Sequence, residues 1–299
     1  MKNLTVEINK FKLSADVKES WNEMTPDEIN HILMVFDAPV ALMGEESIDW
    51  RLLQVFKALT KWNDDDLKKW ELLSLEAYGD DSFFFTDLKI LIEATTSFLI
   101  LKDDDGYSIN PELTQNPFPW IKIEVKGQVK KYYAAHNEEN YVLSNVSLDE
   151  LAQIFTAFEN YIAEKDTDYL YRMCAIMYRL PKTRTKKNIE RNYDGDIRNP
   201  LEDYESGISK RAERFKKHLP QMFLRVIEFH IASCRASISK EYEAIFAPSK
   251  GGTTEGGDWI DFILELSDYD VLRKDAVMKQ NAHDALETAV RLIKKKKNS

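Results

Sequence analysis

A mainly α-helical, multi-helix bundle-like architecture with a small antiparallel β element is the fold class the sequence predicts, and three observations predict it. Glycine and proline are scarce, 10 and 9 among 299 residues, so turns are few and elements long. Helix-start signatures stand ahead of apolar residues spaced three and four apart. Period-two alternation is confined to the N-terminus and to a stretch near 120–143. The 43% hydrophobic and 31% charged residues suit a globular chain, not a disordered, collagenous or membrane one.

Leu4, Val6 and Ile8, then Phe11 and Leu13, alternate as a half-buried N-terminal strand does. Thr25-Pro26-Asp27-Glu28 supplies an N-cap, a proline at the first helical position and acids in the first turn, ahead of Ile29, Ile32, Leu33 and Phe36. Asp49 opens a second helix through Leu52, Leu53, Phe56 and Leu59. Asp64-Asp65-Asp66 starts a third with Leu67, Trp70, Leu73 and Leu75, its acids at the positive end of the helix dipole. Residues 88–101 read as another helix. Turn formers then crowd 102–117, including Asp103-Asp104-Asp105-Gly106, Asn110-Pro111 and Asn116-Pro117, and mark the best interior linker. This divides the chain into an acidic helical region, 1–110, and a region 118–299 of a β-hairpin followed by helices; the two could equally form one continuous core.

In the second region, 120–125 and 129–133 alternate around Lys126-Gly127 as a hairpin, with Tyr141-Val142-Leu143 a candidate third strand. Ser147-Leu148-Asp149-Glu150 has the form of a capping box before Leu151, Ile154, Phe155, Phe158 and Ile162. A helix over 168–178 ends near Leu180-Pro181. The polar, weakly periodic stretch 182–204 reads as an exposed loop. A long helix over 209–239, with a break at Pro220, a Gly-rich segment at 251–257, a helix restarting at Trp259 and a last one over 282–297 complete the chain.

The net charge of −10 is unevenly spread. Residues 1–110 carry 22 acids against 11 bases, whereas 182–218 carry 11 bases against 7 acids. Such asymmetry suits a surface that meets an oppositely charged partner, and equally a solvated charged face. No apolar run approaches the roughly 20 residues needed to span a bilayer, and charges interrupt the N-terminal run where a signal peptide has its apolar core. Two cysteines, Cys174 and Cys234, form one bridge at most. A chain retained in a reducing cytoplasm is expected, with no membrane association.

Chemical motifs fail on spacing. Counting Asp103 as the first position of a calcium loop puts Thr114 where the bidentate Glu belongs. The Gly-rich segment is followed by Asp258-Trp259 in place of the Lys-Ser/Thr of a phosphate loop. His230 and Cys234 share a helical face, with Cys174 as a third candidate zinc ligand, yet both types are ordinary core residues. His31, His136, His218 and His283 show no catalytic spacing. No catalytic residue, metal or cofactor is expected. The candidate contact residues are Lys182, Arg184, Lys186, Lys187, Arg191, Tyr193 and Arg198, basic positions with an aromatic between them that suit a partner or nucleic-acid phosphates.

Four stretches carry a resemblance: Trp21-Asn22-Glu23-Met24-Thr25; Met173-Cys174-Ala175-Ile176-Met177-Tyr178-Arg179 before the basic loop; the long helix running towards Phe246; and Asp258-Trp259-Ile260-Asp261-Phe262-Ile263. In these the chain resembles a family encoded among the structural and tail genes of Bacteroidota phages and prophages, for which no active site is established. The resemblance implies a virion or tail-assembly role, with other phage structural or assembly proteins, or further copies of the chain, as partners. A nucleic-acid-associated or regulatory protein using 182–217 is the alternative, although the acidic net charge argues against nucleic acid as the main partner. An enzyme whose site assembles from distant residues is a third.

Overall fold

The computed structural model describes residues 2–8, 10–37, 50–79, 83–103, 106–135, 141–182, 196–202, 205–246, 259–268 and 270–297. The fold is mainly helical, with twelve α-helices and three two-stranded antiparallel sheets among those residues. The chain divides into two compact units, Met1–Leu113 and Thr114–Ser299.

The N-terminal unit opens on a hairpin, β1 (Lys2–Ile8) and β2 (Phe11–Val17), in a register that pairs Leu4 with Ala15 and Ile8 with Phe11. One strand was expected here. The alternation changes phase between Ile8 and Phe11 because the chain reverses there. Helix α1 (Pro26–Asp37) starts as its sequence indicates: Thr25 N donates to Glu28 Oε2 at 2.8 Å, and Glu28 N donates back to Thr25 Oγ1 at 3.3 Å. Helix α2 (Trp50–Thr60) is followed by α3 (Asp64–Tyr78), which is closed by a reciprocal capping box between Asn63 and Asp66. Helix α4 (Phe84–Thr96) begins and ends earlier than its apolar pattern suggests. The stretch read as helix end and linker instead forms a hairpin, β3 (Ile100–Asp103) and β4 (Gly106–Ile109). The core holds an aromatic ladder: Phe56 and Trp62 lie 5.6 Å apart, Trp62 and Trp70 6.4 Å, Trp70 and Phe84 4.8 Å, all edge-to-face.

The C-terminal unit begins with the expected hairpin, β5 (Trp120–Val125) and β6 (Gln128–Tyr133). Lys126 and Gly127, at φ 52° and 74°, form the two-residue loop with left-handed backbone at both positions that matches strand twist. Residues 141–143 are not a third strand; the chain turns there, with Leu143 at φ 53°. Helices α5 (Leu148–Glu164), α6 (Thr167–Met177), α7 (Glu205–His218), α8 (Gln221–Glu241), α9 (Glu243–Phe246), α10 (Trp259–Leu266), α11 (Val271–Met278) and α12 (Ala282–Lys297) follow. The break foreseen at Pro220 separates α7 from α8, where proline occupies the N-cap and lacks the N–H that would continue a helix. Ile154, Phe155 and Phe158 of α5, Met173, Ile176 and Met177 of α6, Ile227, Ile231 and Ile238 of α8, and Ala282, Ala285 and Leu286 of α12 fill one core. The Gly-rich segment 251–257 lies outside the described residues.

Candidate functional site

The C-terminal unit carries an open cleft of about 830 Å³, and four of the charged side chains in its wall pair with one another. Tyr178 ends α6 in extended backbone, and Arg179 then pairs with β6: Tyr133 N donates to Arg179 O at 2.8 Å, and Arg179 N to Tyr133 O at 3.0 Å. The next residues pair with the segment 196–202, Lys182 N donating to Ile197 O and Asn199 N to Leu180 O, both at 2.8 Å. This ladder brings Arg179 and Arg198 together beside Glu150, which stands on the first turn of α5.

The result is a buried knot of two guanidiniums and two carboxylates. Arg179 Nη2 donates to Glu150 Oε2 at 3.0 Å and to Asp196 Oδ2 at 3.3 Å. Arg198 Nε donates to Asp196 Oδ1 at 2.9 Å, Nη1 to Met177 O at 2.8 Å, and Nη2 to Asn145 O at 3.1 Å and Glu150 Oε2 at 3.2 Å. Burial raises the Glu150 carboxyl above its ordinary value, against the pull of Arg179 and Arg198. Burial likewise lowers the Arg179 guanidinium, with Glu150 opposing. Both shifts have one cause, the desolvation of charge, which the four-way pairing offsets.

This corrects, at Asp196 and Arg198, the reading of 182–204 as an exposed loop, and with it the reading of Arg198 as a contact residue. Arg198 is fully buried, and its donors are taken by two carboxylates and two main-chain carbonyls. Arginine is ordinarily a surface residue, so an unpaired reading of the sequence places it there. Lys182 lies on the wall of the cleft. Arg184, Lys186, Lys187, Arg191 and Tyr193 lie outside the described residues. Sequence reasoning missed Glu150, Arg179 and Asp196 as members of one cluster. Glu150 reads as a helix cap; Ser147 Oγ does accept from Glu150 N at 3.2 Å, but the Glu150 carboxylate turns to the arginines.

Cys174 and Cys234 are buried free thiols, and burial pushes both well above the ordinary thiol range. Cys234 Sγ lies 3.7 Å from His230 Nδ1, inside the core. Among the described residues no three His, Cys, Asp or Glu side chains converge as metal ligands. Since the thiolate is the reactive form, both cysteines are expected to resist a thiol-specific reagent such as Ellman's in the native protein and to titrate fully in denaturant. Rapid labelling of either in the folded chain, read by mass spectrometry, would contradict that burial. His283 is held from both sides: its Nε2 donates to Val142 O at 2.7 Å, and Nδ1 accepts from Tyr242 Oη at 2.8 Å.

In the N-terminal unit the notable surface is apolar. Leu72, Leu75 and Tyr78 recur every third residue, a row that winds slowly around α3. Tyr78 is 60% exposed, and beyond the α3–α4 connection Phe83 is 65% and Phe85 60% exposed. Among the described residues no helix is long and apolar enough to cross a membrane. Comparison with protein-family models, with curated proteins and with solved structures finds no match in any of the three.

Proposed function

We propose that the chain is a virion structural or tail-assembly protein that works through protein–protein contacts, of the kind encoded among the structural and tail genes of Bacteroidota phages and prophages. The observation that carries this reading is the exposed row of Leu72, Leu75 and Tyr78 with Phe83 and Phe85 at the following connection. Large rigid aromatics left in water at one end of a helix pair are the side chains that anchor interfaces, because each buries much area at little entropic cost. The acidity of the first 110 residues adds a preference for a partner whose apolar patch is rimmed by bases. The resemblance at Trp21–Thr25, 173–179 and 258–263 supports the same role.

A tagged pull-down from cells producing the chain in its native setting, read by mass spectrometry and by the absorbance ratio for nucleic acid, tests it. Other phage structural proteins are expected to co-purify without nucleic acid. The triple variant Tyr78→Ser, Phe83→Ser, Phe85→Ser is expected to lose those partners at least tenfold, since anchor residues commonly contribute about 2 kcal/mol or more each. All three are exposed, so its circular dichroism should match the unaltered chain. Recovery of nucleic acid alone, of no partner, or of partners undiminished in the triple variant would defeat the reading.

A further inference from the structure

Arg179 also lines a second, smaller cleft of the C-terminal unit, of about 180 Å³. Its wall includes Tyr132, Arg179, Glu202, Lys210, Arg211 and Arg214, four cations against one carboxylate. The carboxylate is already engaged: Arg211 grips Glu202 with both terminal nitrogens, Nη2 at 2.8 Å from Oε2, while its Nε donates to Ala175 O at 2.6 Å. That fork holds the Glu202 carboxyl below its ordinary value. Including the knot behind Arg179, five cations face three carboxylates, an excess of two positive charges.

Two groups in this wall have hydrogen-bonding capacity left over. Tyr132 is 1% exposed, and its Oη accepts from Arg214 Nη1 at 2.7 Å. Accepting that bond leaves the phenol's own O–H to be placed, and among the described residues no acceptor takes it. Arg214 meets the phenol but, among the described residues, no carboxylate. Unfilled donors of this sort are costly in a buried wall, and an acceptor-only group of matching charge would satisfy all of them together.

We infer that this cleft is a phosphate-binding site, in which Arg214 and the Tyr132 hydroxyl donate to a phosphoryl group and Lys210 closes it from the solvent side. A phosphoryl group carries about −1.5 to −2 charges near neutral pH and only acceptor oxygens, which matches the excess of two positive charges better than a single carboxylate does. At roughly 30 Å³ per water, the cleft has the volume of about six waters, room for a phosphoryl group and the first atoms it is attached to. The ligand is therefore either the free ion or a phosphomonoester on a small molecule or side chain.

Isothermal titration of the full chain at constant ionic strength, with inorganic phosphate, phosphoserine and acetate in separate arms, tests the inference. Saturable one-to-one binding of inorganic phosphate is expected, with acetate at least tenfold weaker. Phosphoserine binding as tightly as phosphate or tighter assigns the site to a phosphomonoester; phosphoserine much weaker than phosphate assigns it to the free ion. Arg214→Gln should weaken binding about tenfold or more, with Arg214→Lys between the two. Lys210→Gln, at an exposed position, should weaken it a few-fold without touching the fold. Circular dichroism of each variant separates lost binding from lost structure, and the Lys210→Gln result stands even where the Arg214 variants fail to fold. No saturable binding at millimolar phosphate, equal binding of acetate, or folded variants that all bind as the unaltered chain does would overturn it.

Discussion

Arg198→Ala is expected to cost the C-terminal unit about 3–5 kcal/mol, because it removes one member of a buried ion-pair knot and leaves the rest behind. Glu150 and Asp196 would lose one of the two cations that offset their desolvation, and the carbonyls of Asn145 and Met177 would each lose the bond from the guanidinium. Hydrogen exchange followed by mass spectrometry reads the effect where it belongs, as faster exchange across α5 and α6 with the N-terminal unit unchanged. Arg291→Ala is the contrast: its pair with Glu287 at 3.2 Å is exposed on α12, and such pairs are worth about 0.3–0.5 kcal/mol. A cost for Arg198→Ala no larger than that of Arg291→Ala would show that the knot is not a coupled unit.

Trp70→Ala is expected to cost the N-terminal unit about 3–5 kcal/mol, the range for removing a buried aromatic without refilling its space. Trp70 is almost fully buried and lies edge-to-face with both Trp62 and Phe84, so truncation breaks the aromatic ladder in its middle and loosens the packing of α2 against α4. Phenylalanine at the same position keeps most of the apolar volume and should recover about half of the loss. Urea unfolding followed by peptide-resolved exchange would show protection in α2, α3 and α4 falling together, with α5 to α8 unaffected. Uniform destabilisation of both units would contradict the division of the chain into separate cores.

What the sequence made legible was local. Thr25-Pro26 and Ser147 mark helix starts because a cap is a bond between residues three apart, and the spacing alone states it. Lys126-Gly127 marks the β5–β6 hairpin because a two-residue loop needs a left-handed backbone that glycine supplies without strain. The β3–β4 hairpin was missed because four-residue strands are too short to show alternation, and the apolar run before them continues the helical pattern of α4. The candidate site was largely illegible: nothing in the order of residues pairs Glu150 with Arg198, 48 positions later, or turns the Glu150 side chain away from the cap its spacing suggests. Charged side chains are placed at the surface by default, and a cluster that offsets its own burial defeats that default only once the fold is known.

The ladder that seats Arg179 and Arg198 also bears on the order in which the C-terminal unit forms. Helix turns and the β5–β6 hairpin close over a few residues and form in microseconds, whereas the knot, apart from the local Asp196–Arg198 pair, joins partners 17 to 48 residues apart and must wait for those longer loops to close. Asp196 and Arg198 can pair locally, but until α5 and α6 have met, Glu150 and Arg179 remain hydrated, and no intermediate gains by stripping water from either of them alone. The knot is thus a late contact: it slows the exit from the native state more than it speeds the approach, so the lifetime of the folded unit, rather than its rate of formation, is what these four residues set.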